Sequence, residues 1–152
     1  IGHTAIRVND IVYEYYPTDE NGNNKYDISE LLGSKGEMHV DSIPEFNKNY
    51  AGREVTYYQL NLTPEQIDKL KNILENIAKD TGKYRLLSGN QCTSVALHSL
   101  IEAGVQLNTA PTIEGNKLTS GYGLSPNNVK TIFNNPINRN LITRVMRFVV
   151  GK

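Results

Sequence analysis

Residues 3–16, HTAIRVNDIVYEYY, hold two β-branched and aromatic runs with only Asn9 and Asp10 between them. Two turn-forming residues between such runs specify a tight β-hairpin, and a tight hairpin fixes register. Val8 then faces Ile11, Ala5 faces Glu14 and His3 faces Tyr16. Because strand side chains alternate, His3, Ala5, Val12, Glu14 and Tyr16 share one face. Glu14 becomes a diagonal neighbour of His3, within reach of a long side chain. An acid interrupting an apolar run is costly without a partner. An imidazole N–H would supply one; a solvent-facing strand residue is the alternative.

The rest of the chain reads as an α+β pattern. Residues 17–52 are rich in Pro, Gly, Asn, Asp and Ser, so a long excursion with little regular structure is expected, with a short helix at 28–32. REVTYYQLNL (53–62) reads as a strand. Thr63-Pro64-Glu65-Gln66 caps a helix over 64–80, with Ile67, Leu70, Ile73, Leu74 and Ile77 at helical spacing. A second helix is expected over 92–103, burying Val95, Ala96, Ser99, Leu100 and Ala103 and stopping at Gly104. After a Gly-rich loop, EGNKLTSGYGL, Ser125-Pro126 starts a short helix to Phe133, and LITRVMRFVV forms a last strand. No repeat or linker divides the 152 residues, which read as a single domain; a start at Ile1 reads as a piece of a longer protein.

Charge excludes some functions. Sixteen basic residues balance sixteen acidic ones, so there is no electrostatic footprint for nucleic acid. No apolar run approaches the length of a membrane span, so no stable membrane insertion is expected. The one cysteine allows no internal disulfide and gives no metal-ligand spacing; neither a metal nor another cofactor is expected. A polar, Tyr-rich chain without Trp fits secreted bacterial domains.

Cys92 follows Ser88-Gly89-Asn90-Gln91 and opens the second helix. A lone cysteine is commonly a small buried hydrophobe. In a first helical turn, however, the macrodipole and open N–H groups stabilise a thiolate. The same N–H groups, including that of Cys92, could serve as an oxyanion hole. The preceding turn would expose the sulfur. A nucleophilic thiol also needs a base. His98, six residues on, lies well round the helix from Cys92. His39, in GEMHVDS, reads as a solvated loop residue. His3, heading the hairpin, is the best base. Cys92 as nucleophile, His3 as base and Glu14 as orienter follow the logic of a thiol triad. Asn90, Gln91 and Tyr16 are the candidate substrate-binding residues.

These residues, in this order, resemble the circularly permuted papain-like superfamily of NlpC-type peptidases and the lecithin:retinol acyltransferase group. GHTAIRVNDIVYEYYP resembles its histidine hairpin and GNQCTSVALHSLIEAGV its cysteine helix. Two departures are visible: Gln91 stands between Asn90 and Cys92, and the third residue is Glu rather than His. The GHTAIRV start, the YYQLNLTPEQ step and the cysteine after an Asn-containing turn also resemble a bacterial domain family tied to lipoprotein N-acylation. The YEYYPTDENGN stretch is similar to C-terminal toxin domains of Rhs-type polymorphic effectors.

The resemblance implies a permuted papain-like α+β fold, with an antiparallel sheet packed against the cysteine-bearing helix. It implies a cysteine-dependent hydrolase working through a thioester: an amidase, peptidase or glutamine deamidase. The setting it implies is an antagonistic bacterial effector, secreted or delivered into a target cell. Its partners would be a peptide, protein or acyl substrate and an immunity protein. A thiol acyltransferase acting on lipid or lipoprotein and a non-catalytic binding module are the alternatives.

Overall fold

Why the first hairpin holds is visible at its turn. A computed structural model describes residues 2–22, 27–86, 90–110 and 125–151. In it β1 (Ile6–Val8) pairs antiparallel with β2 (Ile11–Pro17), with Val8 opposite Ile11 and Ile6 opposite Tyr13. Asn9 adopts a φ of 54°, a left-handed conformation that Asn tolerates better than most residues. The two-residue turn therefore keeps the expected register. The first strand is shorter than expected: it begins at Ile6, and residues 3–5 approach it outside the ladder.

The expected structureless excursion is instead organised. It contains α1 (Ile28–Gly33), β3 (Gly36–Ser42) and α2 (Ile43–Asn49). β3 pairs along the whole of β2, with Glu14 opposite His39 and Tyr16 opposite Glu37, so β2 is the central strand of the sheet. His39 is thus a strand residue rather than a solvated loop residue. β3 is an edge strand, and Glu37, His39 and Asp41 alternate along it; the polarity that suggested a loop is what protects an edge. Both helices carry capping boxes. Asp27 accepts from the Glu30 N–H (3.0 Å) while Glu30 accepts from the Asp27 N–H (2.9 Å). Ser42 and Glu45 repeat the exchange at 3.3 and 3.2 Å, with Pro44 in the first turn.

The later elements follow the periodicity. β4 (Glu54–Leu60) leads to α3 (Pro64–Lys79), capped by Thr63 and Gln66. α4 (Cys92–Glu102) and α5 (Pro126–Asn134) follow, then a single 3-10 turn (Pro136–Asn138) and β5 (Ile142–Val149). β4 and β5 pair with each other as a separate two-stranded antiparallel sheet. The architecture is thus α+β, with two small antiparallel sheets among the described residues. The Gly-rich loop expected at EGNKLTSGYGL and the Ser88-Gly89 turn lie outside the described residues. No helix among the described residues is long and apolar enough to cross a membrane.

α4 is the centre of the packing. Residues 92–97, Ser99 and Leu100 are all buried, and the His98 side of the helix faces out. Leu97 and Leu100 join Leu70 and Leu74 of α3, Val8 and Tyr13 of the hairpin, and Ile132 and Phe133 of α5 in one core. A helix buried on most sides has no strong polar face, so its small polar residues, Thr93, Ser94 and Ser99, are buried with it.

Gly36 shows how tightly this side is built. A Cβ at Gly36 would collide with the Tyr15 hydroxyl. That hydroxyl is fixed by donating to the Thr81 carbonyl (2.5 Å) and accepting from Asn90 Nδ2 (2.9 Å). Gly36→Ala is expected to destabilise the protein by about 2 kcal/mol through overpacking, a loss of roughly 5 °C in Tm, measurable by calorimetry.

Candidate functional site

Glu14 sits mid-strand in β2 and is 1 % exposed. A carboxylate there must be matched by donors. The Tyr50 hydroxyl donates to Oε2 at 2.5 Å, and the Tyr16 hydroxyl does so at 3.3 Å. The Tyr16 and Tyr50 hydroxyls also contact each other. Nε2 of His3 lies 2.9 Å from the same oxygen. That contact is an ion pair rather than a well-directed hydrogen bond. Burial pushes the Glu14 carboxyl upward, but His3 and the tyrosine hydroxyls outweigh it, and the net shift is below the usual value.

His3 is held by its ring as well as by its charge. It stacks on Tyr16 at 4.2 Å between centroids, with the planes 12° apart. Tyr16 in turn meets the His39 ring at 4.8 Å. The lead-in that carries His3 is tied to the head of α4 by a hydrogen bond between the Thr4 and Thr93 hydroxyls, 2.9 Å. This tie, not the β-ladder, brings His3 to Cys92 across some ninety positions of sequence.

The thiol and the imidazole lie close enough to shift each other's protonation. Burial lowers the His3 pKa, yet the contacts with Cys92 and then Glu14 raise it to about 9. Burial raises the Cys92 pKa, yet His3, the Thr4 backbone and the Thr93 hydroxyl bring it below its ordinary value. Both directions favour a thiolate beside an imidazolium, with a carboxylate behind it.

The structure brings Cys92, His3 and Glu14 together and sets Tyr16 against His3. It uses Asn90 and Gln91 inside the protein. Asn90 Nδ2 donates to the Tyr15 hydroxyl and to the Lys83 carbonyl (2.7 Å). Gln91, 1 % exposed, is the N-cap of α4: its Oε1 accepts from the N–H of Thr93 (2.6 Å) and of Ser94 (3.3 Å). His98 is exposed on the far side of the helix. The thiol is buried, 8 % exposed, rather than presented by a turn. It borders a void of about 10 Å³, whereas His3 and Tyr50 border a groove of about 740 Å³ between the hairpin, α2, β4 and α4.

Two contributors escaped the sequence reading: Tyr50 and the Thr4–Thr93 pair. The Ser42-x-x-Glu45 box with Pro44 was the signal that could have found the helix presenting Tyr50.

Residues 1–121 match the Lnb N-terminal periplasmic domain family, and the chain belongs to that family. The match takes in His3, Glu14, Tyr50, Tyr84 and Cys92 and ends before α5 and β5. No curated protein matches the chain, and no solved structure does. This membership corrects two expectations. The chain is not placed in the permuted papain-like superfamily or among Rhs-type effector domains, and the antagonistic cysteine-hydrolase function that rested on them is set aside. The physical reason is that a nucleophilic thiol needs a base and an orienter on any fold. Short motifs around such residues identify the chemistry of a site better than its family.

Thiol alkylation by iodoacetamide should show an ionisation midpoint below the ordinary thiol value of about 8.5. In His3→Ala the largest opposition to burial is removed, leaving only the Thr4 backbone and the Thr93 hydroxyl to hold the thiol down, and the midpoint should rise. Glu14 has a second, global consequence. Its folded pKa is depressed, so its stabilisation is full above the unfolded value of about 4.3 and is lost as pH falls through the folded one. Melting temperature followed from pH 6 downward should therefore fall less steeply in Glu14→Gln than in the unsubstituted protein.

Proposed function

We propose that this domain is an extracytoplasmic thiol-dependent acyl-transfer module, in which Cys92 takes up an acyl group as a thioester and passes it to an acceptor nucleophile. The family is described as a periplasmic domain, which sets the domain outside the cytoplasm. The observation that carries the chemistry is the Glu14–His3–Cys92 chain. It holds the His3 pKa at about 9 and the Cys92 thiol below its usual value.

The steps follow from that charge distribution. The Cys92 thiolate attacks the acyl carbon, and the carbonyl electron pair moves onto oxygen. As the tetrahedral species collapses, the bond to the leaving group breaks and the His3 imidazolium supplies its proton. Because Nε2 faces Glu14, Nδ1 is assigned as the nitrogen that exchanges this proton. The neutral imidazole then accepts a proton from the acceptor as it attacks the thioester carbon, and collapse breaks the C–S bond, releasing the acylated acceptor and returning Cys92 as thiolate beside the His3 imidazolium. Glu14 keeps the ring in place and stabilises its cation throughout.

Two further features support transfer and guide the choice of donor. The buried thiol restricts bulk water at the thioester. The groove beside His3 is walled by Leu60, Leu62, Leu97, Leu100 and Phe133, and its size is that of a small-ligand site. An acyl donor with an aliphatic portion suits this wall, and Arg7, Arg53 and Lys130 line the same groove.

Incubation with p-nitrophenyl esters should add one acyl mass to the protein and release a stoichiometric burst of nitrophenolate, both read by intact-mass and absorbance measurements. Cys92→Ala should abolish the adduct. His3→Ala should slow its formation by about 10³-fold, within the range for a general acid–base. Glu14→Gln should slow it less, since nucleophile and base still meet part of the time. An unsubstituted protein that never carries the acyl mass would overturn the proposal.

A further inference from the structure

Side chains on a strand alternate between faces, so a groove lying across a sheet face meets every second residue of a strand. The groove beside His3 is lined differently. Residues 2–9 and residues 53–60 border it without a gap, while β2 contributes only Val12 and β5 only Phe148 among the described residues. Consecutive residues can border one groove only along a strand edge. The groove therefore follows the edges of β1 and β4. Among the described strands these belong to separate sheets and pair on one side only, β1 with β2 and β4 with β5.

The ladders also fix which backbone groups face the groove. In an antiparallel pair every second residue directs its N–H and C=O away from the partner strand. Val8 and Ile11 close a two-residue turn and are a hydrogen-bonded pair, so Arg7 directs its backbone groups outward. On β4 the phase is set by the Val150 N–H, which donates to the Arg53 carbonyl at 2.9 Å. With Val55 opposite Phe148 and Tyr57 opposite Met146, Thr56 and Tyr58 direct theirs outward. Leu97 and Leu100, both buried, line the groove from the core side. Arg7, Arg53 and Lys130 border it, with Glu54 as the only acid among the described residues. The β3 edge, by contrast, lies outside the groove and carries Glu37, His39 and Asp41, the kind of charge that guards an edge.

We propose that this groove is a strand-docking site, in which an extended acidic polypeptide segment lies between β1 and β4 and hydrogen-bonds to both. Two open edges on one groove call for backbone donors and acceptors, which a hydrocarbon chain does not carry. An inserted strand directs one alternate set of its N–H and C=O groups to β1 and the other set to β4. Its side chains alternate between the Leu97 and Leu100 side and the opposite face. Apolar residues suit the first, and acidic residues complement the three cations. The docked segment passes His3, which borders the same groove. It meets the same leucines as the aliphatic part of an acyl donor, so the two occupy the groove in turn, as a covalent intermediate permits. Docking itself does not depend on the chemistry of Cys92.

The probe is a peptide of seven residues, the length of β4, with valine and glutamate alternating and both ends blocked. It should bind saturably by calorimetry, and equally to Cys92→Ala, so that docking is read apart from acyl transfer. The amides of Arg7, Thr56 and Tyr58 should gain hydrogen-exchange protection in the complex. N-methylation of one alternate set of peptide nitrogens blocks pairing with one edge, and methylation of the other set blocks the second. Each should weaken binding by about 10²-fold, the loss of several backbone hydrogen bonds at roughly fivefold apiece. Lysine in place of glutamate should weaken it by about tenfold through like charge. No binding, binding indifferent to either methylated set, protection confined to β3 or β5, or equal binding of the lysine peptide would each overturn the proposal. Peptide binding by a protein that takes up no acyl group would overturn the acyl-transfer reading and leave the docking site standing.

Discussion

A carboxylate in the middle of a central β-strand organises this protein. Glu14 is all but fully buried, and an ionised group there is tolerated only when donors surround it. Three separate pieces of chain supply them: His3 from ahead of β1, Tyr16 from β2 itself and Tyr50 from the end of α2. The need to satisfy one charge thus ties the N-terminal lead-in and the α2 segment to the sheet. It also sets the charge of the imidazole, since His3 beside an anion holds its proton well above its ordinary pKa.

The second constraint lies at the other end of the relay. A thiol placed at a helix start could have drawn its stabilisation from the helix itself. Here Gln91 caps two of the first N–H groups, and the groups that lower the thiol pKa are His3 and the Thr4 backbone from outside the helix and the Thr93 hydroxyl beside it. Nucleophile and base are held together by the Thr4–Thr93 tie and by packing of α4 on the hairpin. Reactivity in this site is therefore a tertiary property, sensitive to how the lead-in docks.

How much of this was legible in the sequence depended on the range of the interaction. The hairpin register was readable because a two-residue turn and a side-chain period of two leave one arrangement. From it came the approach of Glu14 to His3 and of Tyr16 to the same ring. α3, α4 and α5 were readable from caps and periodicity. β3 was not, because an edge strand carrying Glu37, His39 and Asp41 has the composition of a loop. Its pairing with β2 is made across some twenty-five residues, and no local pattern encodes it. Missing β3 and α2 also hid Tyr50, the shortest hydrogen bond to Glu14 from a defined donor. Asn90 and Gln91 were assigned by proximity to Cys92, and proximity in sequence does not say whether a polar side chain faces a ligand or its own backbone.

The amino-acid order by itself determined the α+β class, the hairpin and its face, the capped helices, and His3 as the histidine to look for beside the lone thiol. Those features rest on short-range rules: alternation, helical spacing, turn chemistry and the pKa logic of a thiol. Only the tertiary structure decided that the described strands form two sheets, that the thiol is buried, that Gln91 closes the helix head and that Tyr50 reaches Glu14. Each of these depends on residues far apart in the chain meeting in a dry interior. There the penalty for an unmatched polar group selects the partner, and that selection is made by packing, which no single stretch of sequence contains.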